Sequence, residues 1–351
     1  MVKVCVAYSS HKIGDLIWQL PYFKAISEHH KTKITILVSS NVQAKELLKN
    51  NNYIEDVIIN KFRKGIYYFL DIFLIYKIFF RKKFNYIYIL EKINRPAIAA
   101  YLARINNIIG FGIGNQKKWL TNKHFINIKD LKLNYSEQSE KFLSINGILI
   151  NDLSPFINLN SVEVNKTFEN LNFLKKPWIT LGVDSFESHK IWPAIYYSQL
   201  IYKIYSNNLA KSFFLVSSKK NQYLIKNIIK NSKVPEKYFF DCSGLKMPEI
   251  SRIMFLSDFF IGNCSAPLNL SAAVGTLSFG ILGATDVRAL KSKNIFCIVN
   301  DNYDKSIEIG INKHGDNYNK NANVMKTISV EKVFKYIISN LKKSGRDGRV
   351  V

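Results

Sequence analysis

Short apolar strands alternate with helical segments along this chain, and the alternation starts twice. Residues 2–8 read as a buried strand, and in residues 14–27 Ile17, Leu20, Phe23 and Ile26 recur at helical spacing. Strands are predicted at 34–38, 57–59, 86–90 and 107–111. Helices are predicted up to Lys49, with Asn41 as N-cap, and around 96–104, with Pro96 in the first turn. The rhythm lapses over the polar stretch 151–176 and restarts at Trp178. There strands are predicted at 178–181, 213–217, 238–240, 259–262 and 277–280, and helices at 194–205, 221–230, 247–255 and 266–274. Such alternation implies parallel strands covered by helices. The expected architecture is α/β, with two Rossmann-like domains facing across a cleft. The domains are expected at 1–160 and 161–330, followed by a C-terminal helix and basic tail at 331–351. That helix is expected to pack back on the first half, with residues 342–351 frayed.

The length of 351 residues suits two ordinary domains, and 47% apolar residues are enough for two cores. Lys and Arg number 50 against 26 Asp and Glu, a net charge of +24 that favours phosphorylated or anionic partners without choosing among them. Four cysteines, Cys5, Cys242, Cys264 and Cys297, form no Cys-x-x-Cys pair, and the six histidines show no zinc-binding spacing. Reduced thiols and no bound metal are expected. No secretory signal is visible in the first residues, so the expected compartment is the cytoplasm. No nucleic-acid-binding signature accompanies the charge, and no specific nucleic acid is expected as partner.

Residues 65–80 are the most apolar stretch, yet they are too short for a bilayer span and contain Asp71 and Lys77. Lys61, Arg63 and Lys64 precede them; Arg81, Lys82 and Lys83 follow. Two readings stay open: a core helix with exposed basic ends, or an interfacial helix by which Lys61 to Lys83 meet the anionic inner-membrane surface.

Three segments carry chemistry. Ser9-Ser10-His11-Lys12-Ile13-Gly14-Asp15 joins the first strand to the first helix, with Gly14 expected in a tight turn and Asp15 at the helix N-terminus. Asp15 there is a cap or a general base. The second segment, from Gly182 to Pro193, holds Ser185 and Lys190, which suit a diphosphate. The third runs from Gly262 to Thr276. Cys264, Ser265, Ala266, Pro267 and Asn269 lead from a strand into a helix of small residues, whose N-terminal amides suit phosphate. Gly110-Phe111-Gly112-Ile113-Gly114 has the wrong spacing for a dinucleotide fingerprint. No Asp-x-Asp pair occurs.

Taken together, these segments resemble glycosyltransferase family 9, the ADP-heptose:lipopolysaccharide heptosyltransferases. The resemblance rests on Ile13-Gly14-Asp15 with Leu20-Pro21, on Lys190-x-Trp192-Pro193, and on Ser243-Gly244 with Glu249. It continues through Ala272-Ala273-x-Gly275-Thr276 and Gly283-Ala284-Thr285-Asp286. The order is collinear with the family's. The family's donor loop usually reads Asn-Asp-Ser-Gly-Pro-Met-His; here Cys264, Ala266 and Asn269 replace its Asp, Gly and His.

The resemblance implies a GT-B fold and metal-independent inverting transfer of a heptose or similar sugar to a lipopolysaccharide-type or other surface glycolipid acceptor. The donor would be a nucleotide-sugar, ADP-linked, with no further cofactor. Asp15 would be the catalytic base, with Ser10, Lys12 and Gly14 on the acceptor side. Ser185, Lys190 and the 264–269 loop would hold the donor. The altered loop also admits an alternative, a catalytically degenerate GT-B binding or scaffold protein.

Overall fold

The computed structural model describes residues 2–40, 43–63, 65–283, 285–303 and 324–343. Asn41, Lys64, Ala284 and the tail from residue 344 lie outside them, so the predicted cap, one of the flanking bases, one residue of the Gly-Ala-Thr-Asp turn and the tail are not described. The chain divides into two units, Met1–Asn158 and Leu159–Val351.

The first unit runs β1 (Val4–Tyr8), α1 (Ile13–Ile17), α2 (Leu20–His30), β2 (Ile34–Ser39), α3 (Ala44–Leu48), β3 (Ile54–Asn60), α4 (Tyr67–Lys82), β4 (Tyr86–Ile89), α5 (Arg95–Leu102), β5 (Asn107–Gly110) and α6 (Tyr135–Ile145). Its five strands are parallel in the order β3-β2-β1-β4-β5. Strands β1 and β2 are buried along their whole length, as expected of strands covered on both faces. The helix predicted over 14–27 is two helices. Pro21 stands in the first turn of α2, where its missing N–H costs nothing, whereas within one continuous helix it would break the bond to residue 17. Gly14 lies inside α1, not in a tight turn. The glycines at 110–114 serve the backbone. Gly112 has φ +76°, and a Cβ there would stand 2.1 Å from Phe125.

The second unit runs α7 (Ser161–Leu171), β6 (Trp178–Gly182), α8 (Ala194–Ser206), β7 (Ser212–Val216), α9 (Gln222–Asn231), β8 (Phe239–Asp241), α10 (Met247–Leu256), β9 (Phe259–Asn263), α11 (Ala266–Ala273), β10 (Ser278–Ile281), β11 (Ile295–Ile298) and α12 (Val330–Lys343). Six parallel strands lie in the order β11-β10-β9-β6-β7-β8. Counted from the first strand of each unit, both sheets follow the Rossmann order 3-2-1-4-5, and the second continues to a sixth strand.

In the stretch 151–176, where the rhythm lapses, α7 occupies the middle, capped by Asn160, whose side chain accepts from the amides of Val162 and Glu163. The last helix packs on the core of the second unit. Val333, Ile337 and Leu341 join the core beneath α8, Lys203 pairs with Glu331 at 2.8 Å, and the Trp192 indole donates to the carbonyl of Ile328.

Candidate active site

In an open parallel sheet, a crevice opens where the strand order reverses, beyond the carboxyl ends of the two central strands. In the first unit those strands are β1 and β4. The loop after β1 carries Ser9, Ser10, His11 and Lys12 and runs directly into α1 with Asp15 in its first turn. The Ser10 hydroxyl donates to Asp15 Oδ2 at 3.0 Å and accepts the Lys12 amide at 3.2 Å. Asp15 is partly exposed, and Lys12 is exposed. The loop after β4 carries Glu91, which the sequence reading passed over. Its carboxylate accepts both the amide and the hydroxyl of Ser9, the latter at 2.8 Å. Burial pushes the Glu91 carboxyl up to about 7, against the opposing pull of the two Ser9 bonds and the Arg95 charge. Asp15 and Glu91 both act on the hydroxyls of Tyr8 and Tyr135, whose pKa values burial raises first and these charges raise further. A polar cluster therefore sits at the switch point of this sheet.

In the second unit the central strands are β6 and β9, and both loops predicted to hold the donor emerge from their carboxyl ends. The strands meet through glycine: a Cβ on Gly262 would lie 2.8 Å from the Gly182 carbonyl, and one on Gly182 would lie 2.7 Å from Phe260. The loop after β6 carries Ser185 and a short 3-10 turn, Ser188–Lys190. Lys190 Nζ pairs with Glu187 at 2.7 Å and stays partly exposed. Phe186, between Ser185 and Glu187, is 96% exposed.

The loop after β9 carries Cys264, Ser265, Ala266 and Pro267, all partly exposed, and enters α11. Ser265 stands at the N-cap but makes no side-chain capping bond, so the N-terminal amides of α11 are open to an anion. Asn269, one turn on, is buried, and its Oδ1 has no hydrogen-bond partner among the described residues; neither does Asn263 Nδ2. Unpaired buried polar atoms at a loop of this kind fit a site that a ligand completes.

Two further residues brace these loops, and the sequence reading assigned no role to either. Asp184 accepts from the amides of Ser185 and Ser218, the Ser218 hydroxyl and the Asn221 side chain, which fastens the loop after β6 to the loop after β7. Asn263 Oδ1 accepts from the Trp192 amide at 2.9 Å and the Tyr197 hydroxyl at 3.0 Å, which ties the Lys190-x-Trp192-Pro193 segment to the end of β9. Glu249 caps α10 through the Lys246 amide, and Asp286 caps a 3-10 turn while pairing with Arg288. Both of these carboxylates have structural partners in place.

The two doubly wound parallel units have the α/β architecture of the GT-B fold. Residues 81–318 match the sequence model of glycosyltransferase family 9 (heptosyltransferase), and the chain belongs to that family and is a glycosyltransferase.

Solved structures agree in fold. The ADP-heptose lps heptosyltransferase II of E. coli is 14% identical, with a TM-score of 0.77 over 98% of this chain and 100% of that one. A family 9 glycosyl transferase from Veillonella parvula is 15% identical, with a TM-score of 0.78 over 97% of each chain. The E. coli heptosyltransferase WaaC, solved with ADP-2-deoxy-2-fluoro heptose, is 14% identical, with a TM-score of 0.69 over 97% and 100%. No curated protein matches by sequence.

Proposed function

We propose that this glycosyltransferase moves a heptose or similar sugar from an ADP-linked donor to a hydroxyl of a lipopolysaccharide-type acceptor, by inverting displacement without a metal. In this reading the acceptor oxygen attacks the anomeric carbon as the carbon–oxygen bond to the diphosphate breaks, and Asp15 takes the hydroxyl proton. Ser10 orients that carboxylate, and Lys12 and Gly14 border the acceptor. The departing diphosphate is met by Lys190, by Ser185 and by the amides that begin α11, groups fixed in place before the charge develops. These donors do the neutralising that a metal performs in other transferases, in keeping with a sequence that has no Asp-x-Asp pair. Phe186 offers an aromatic face to the nucleobase, and Asn269 a hydrogen bond to the donor. Cys264 and Asn269, where the family has Asp and His, make this loop the place where donor choice departs from that of its relatives.

The observation that carries the reading is the convergence of both donor segments at the β6/β9 switch point, with a lysine, an open helix N-terminus and the unpaired Asn269 Oδ1 on them. Thermal denaturation with ADP, UDP and GDP tests it. ADP is expected to stabilise the chain by about 2.7 kcal/mol at a hundredfold excess over Kd. Lys190→Ala is expected to weaken ADP by about 1.5–3 kcal/mol, the worth of a charge-assisted hydrogen bond. A chain that responds to none of the three nucleotides would instead be the degenerate scaffold.

The acceptor's lipid gives the second part of the reading, contact with an anionic membrane surface through residues 61–83. Helix α4 buries only a stripe, Asp71, Ile72, Ile75 and Phe79. Tyr68, Tyr76 and Ile78 are half-buried against that core, while Phe69, Phe73 and Phe80 along the helix and Ile66 just before it face solvent, with Ile66 84% and Phe69 74% exposed. Lys77 lies over the Phe73 ring, Arg63 over that of Tyr67, and Arg81 and Lys82 end the helix. No described helix is long and apolar enough to cross a membrane. Exposed aromatic rings among cations suit insertion at the headgroup level of anionic lipid. The full chain is expected to float with phosphatidylglycerol vesicles and not with phosphatidylcholine vesicles, and to release at high salt. Phe69→Ser with Phe73→Ser should abolish flotation while leaving ADP stabilisation unchanged. Equal flotation by the double variant would remove α4 from the reading.

A further inference from the structure

Glu91 lies on neither of the loops that carry the donor groups, and the transfer chemistry above makes no use of it. It stands at the carboxyl end of β4, directly across the switch point from the end of β1. Its two oxygens hold the amide and the hydroxyl of Ser9. The next residue, Ser10, donates to Asp15 Oδ2. Glu91, Ser9, Ser10 and Asp15 thus form one connected chain from the end of β4 to the first turn of α1. The loop of Glu91 is itself held from below, because the Gln116 amide donates to the carbonyls of Glu91 and Ile93 at 2.9 and 2.7 Å.

We propose that Glu91 is a positioning residue for Asp15, fixing the Asp15 carboxylate through the Ser9–Ser10 backbone. Ionised, Glu91 accepts from Ser9 with both oxygens and keeps Ser10 aimed at Asp15. Protonated, it gives up one acceptor oxygen, and the hold on Ser9 loosens. The charged and titratable groups that interact with it are Tyr8 from β1, Tyr135 from α6 and Arg95 from α5. Arg95 is already engaged by Asp71 at 3.0 Å and does not neutralise Glu91 alone. With the Glu91 carboxyl pushed up to about 7, the switch between these states falls at neutral pH.

The sign follows from linkage. A carboxyl whose folded pKa exceeds its unfolded value stabilises the fold below the unfolded value and loses that contribution as pH rises through about 7. The full chain should therefore lose more thermal stability between pH 5 and pH 8 than Glu91→Gln does. The geometric claim is independent of the transfer reaction; only its catalytic meaning rests on Asp15 being the base.

The deciding experiment is a carbon-13 NMR titration of the Asp side-chain carboxyls, with Asp15 assigned by Asp15→Asn. The wild-type Asp15 resonance is expected to show a second inflection near pH 7, absent in Glu91→Gln and kept in Glu91→Asp. Should Glu91→Gln not fold, Ser9→Ala keeps the charge but removes one bond, and the inflection should move to higher pH. An Asp15 resonance that titrates identically in Glu91→Gln, or an inflection unmoved in Ser9→Ala, overturns the proposal. Absence of glycosyl transfer would bear on the proposed reaction alone.

Discussion

Replacing Asp15 by Asn is expected to slow glycosyl transfer by about 10²- to 10⁴-fold, the usual worth of a positioned general base. The change is nearly isosteric, so the backbone of α1 and the bond from Ser10 should survive in outline, while the proton acceptor is lost. ADP stabilisation should be unchanged, because Asp15 belongs to the first unit and the proposed donor groups to the second. The loss should therefore appear in kcat with the donor KM unaltered, the mark of an interaction made only in the transition state. Nucleoside diphosphate release from the donor that the wild-type chain turns over is the assay. A rate within threefold of wild type would show that the proton leaves by another route.

The second large effect concerns stability. Asp71 is completely buried near the start of α4 and is held by two arginines. Arg63 reaches it through Nε at 3.0 Å, Nη2 at 2.5 Å and its own amide at 2.7 Å, and Arg95 through Nη1 at 3.0 Å. Arg95 also donates to the Arg63 carbonyl at 2.6 Å, with its guanidinium over the rings of Phe62 and Tyr68. The network joins the loop after β3 to both α4 and α5. Asp71→Ala leaves the nearly buried Arg95 without its carboxylate, and removing one partner of a buried pair costs about 3–5 kcal/mol. Urea unfolding should show that loss. Asp71→Asn, which keeps part of the hydrogen bonding, should lose less. A loss below about 1 kcal/mol, the level of an exposed pair, would mean that the network is replaceable by water.

Asp71 also shows where reading the sequence stopped. It marked residues 65–80 as unfit to span a membrane, but its partners lie 8 and 24 residues away and meet it only in the folded unit. One stripe of that segment enters the core, while the rings of Phe69, Phe73 and Phe80 do not. Strands were legible because parallel strands buried on both faces are continuous apolar runs, as β6 and β9 are. Helix α7 was not, because it buries only Val164 and Leu171 and its apolar stripe is thin. Lys190 and the 264–269 loop stand out by motif, and they follow the adjacent strands β6 and β9. Glu91 sits in Glu-Lys-Ile-Asn-Arg, which reads as a solvated loop. Its signal was positional, the first acidic residue after the strand that pairs with β1 across the reversal of strand order. That relation exists only once the strand order is known.

The central claim is that a nucleoside diphosphate docks on the loops after β6 and β9. Hydrogen–deuterium exchange of the full chain with saturating ADP tests it most directly. Slower exchange is expected in peptides covering residues 183–190 and 264–269, with residues 9–15 unchanged. Saturating ADP that leaves both donor loops exchanging as in the unliganded chain would contradict it.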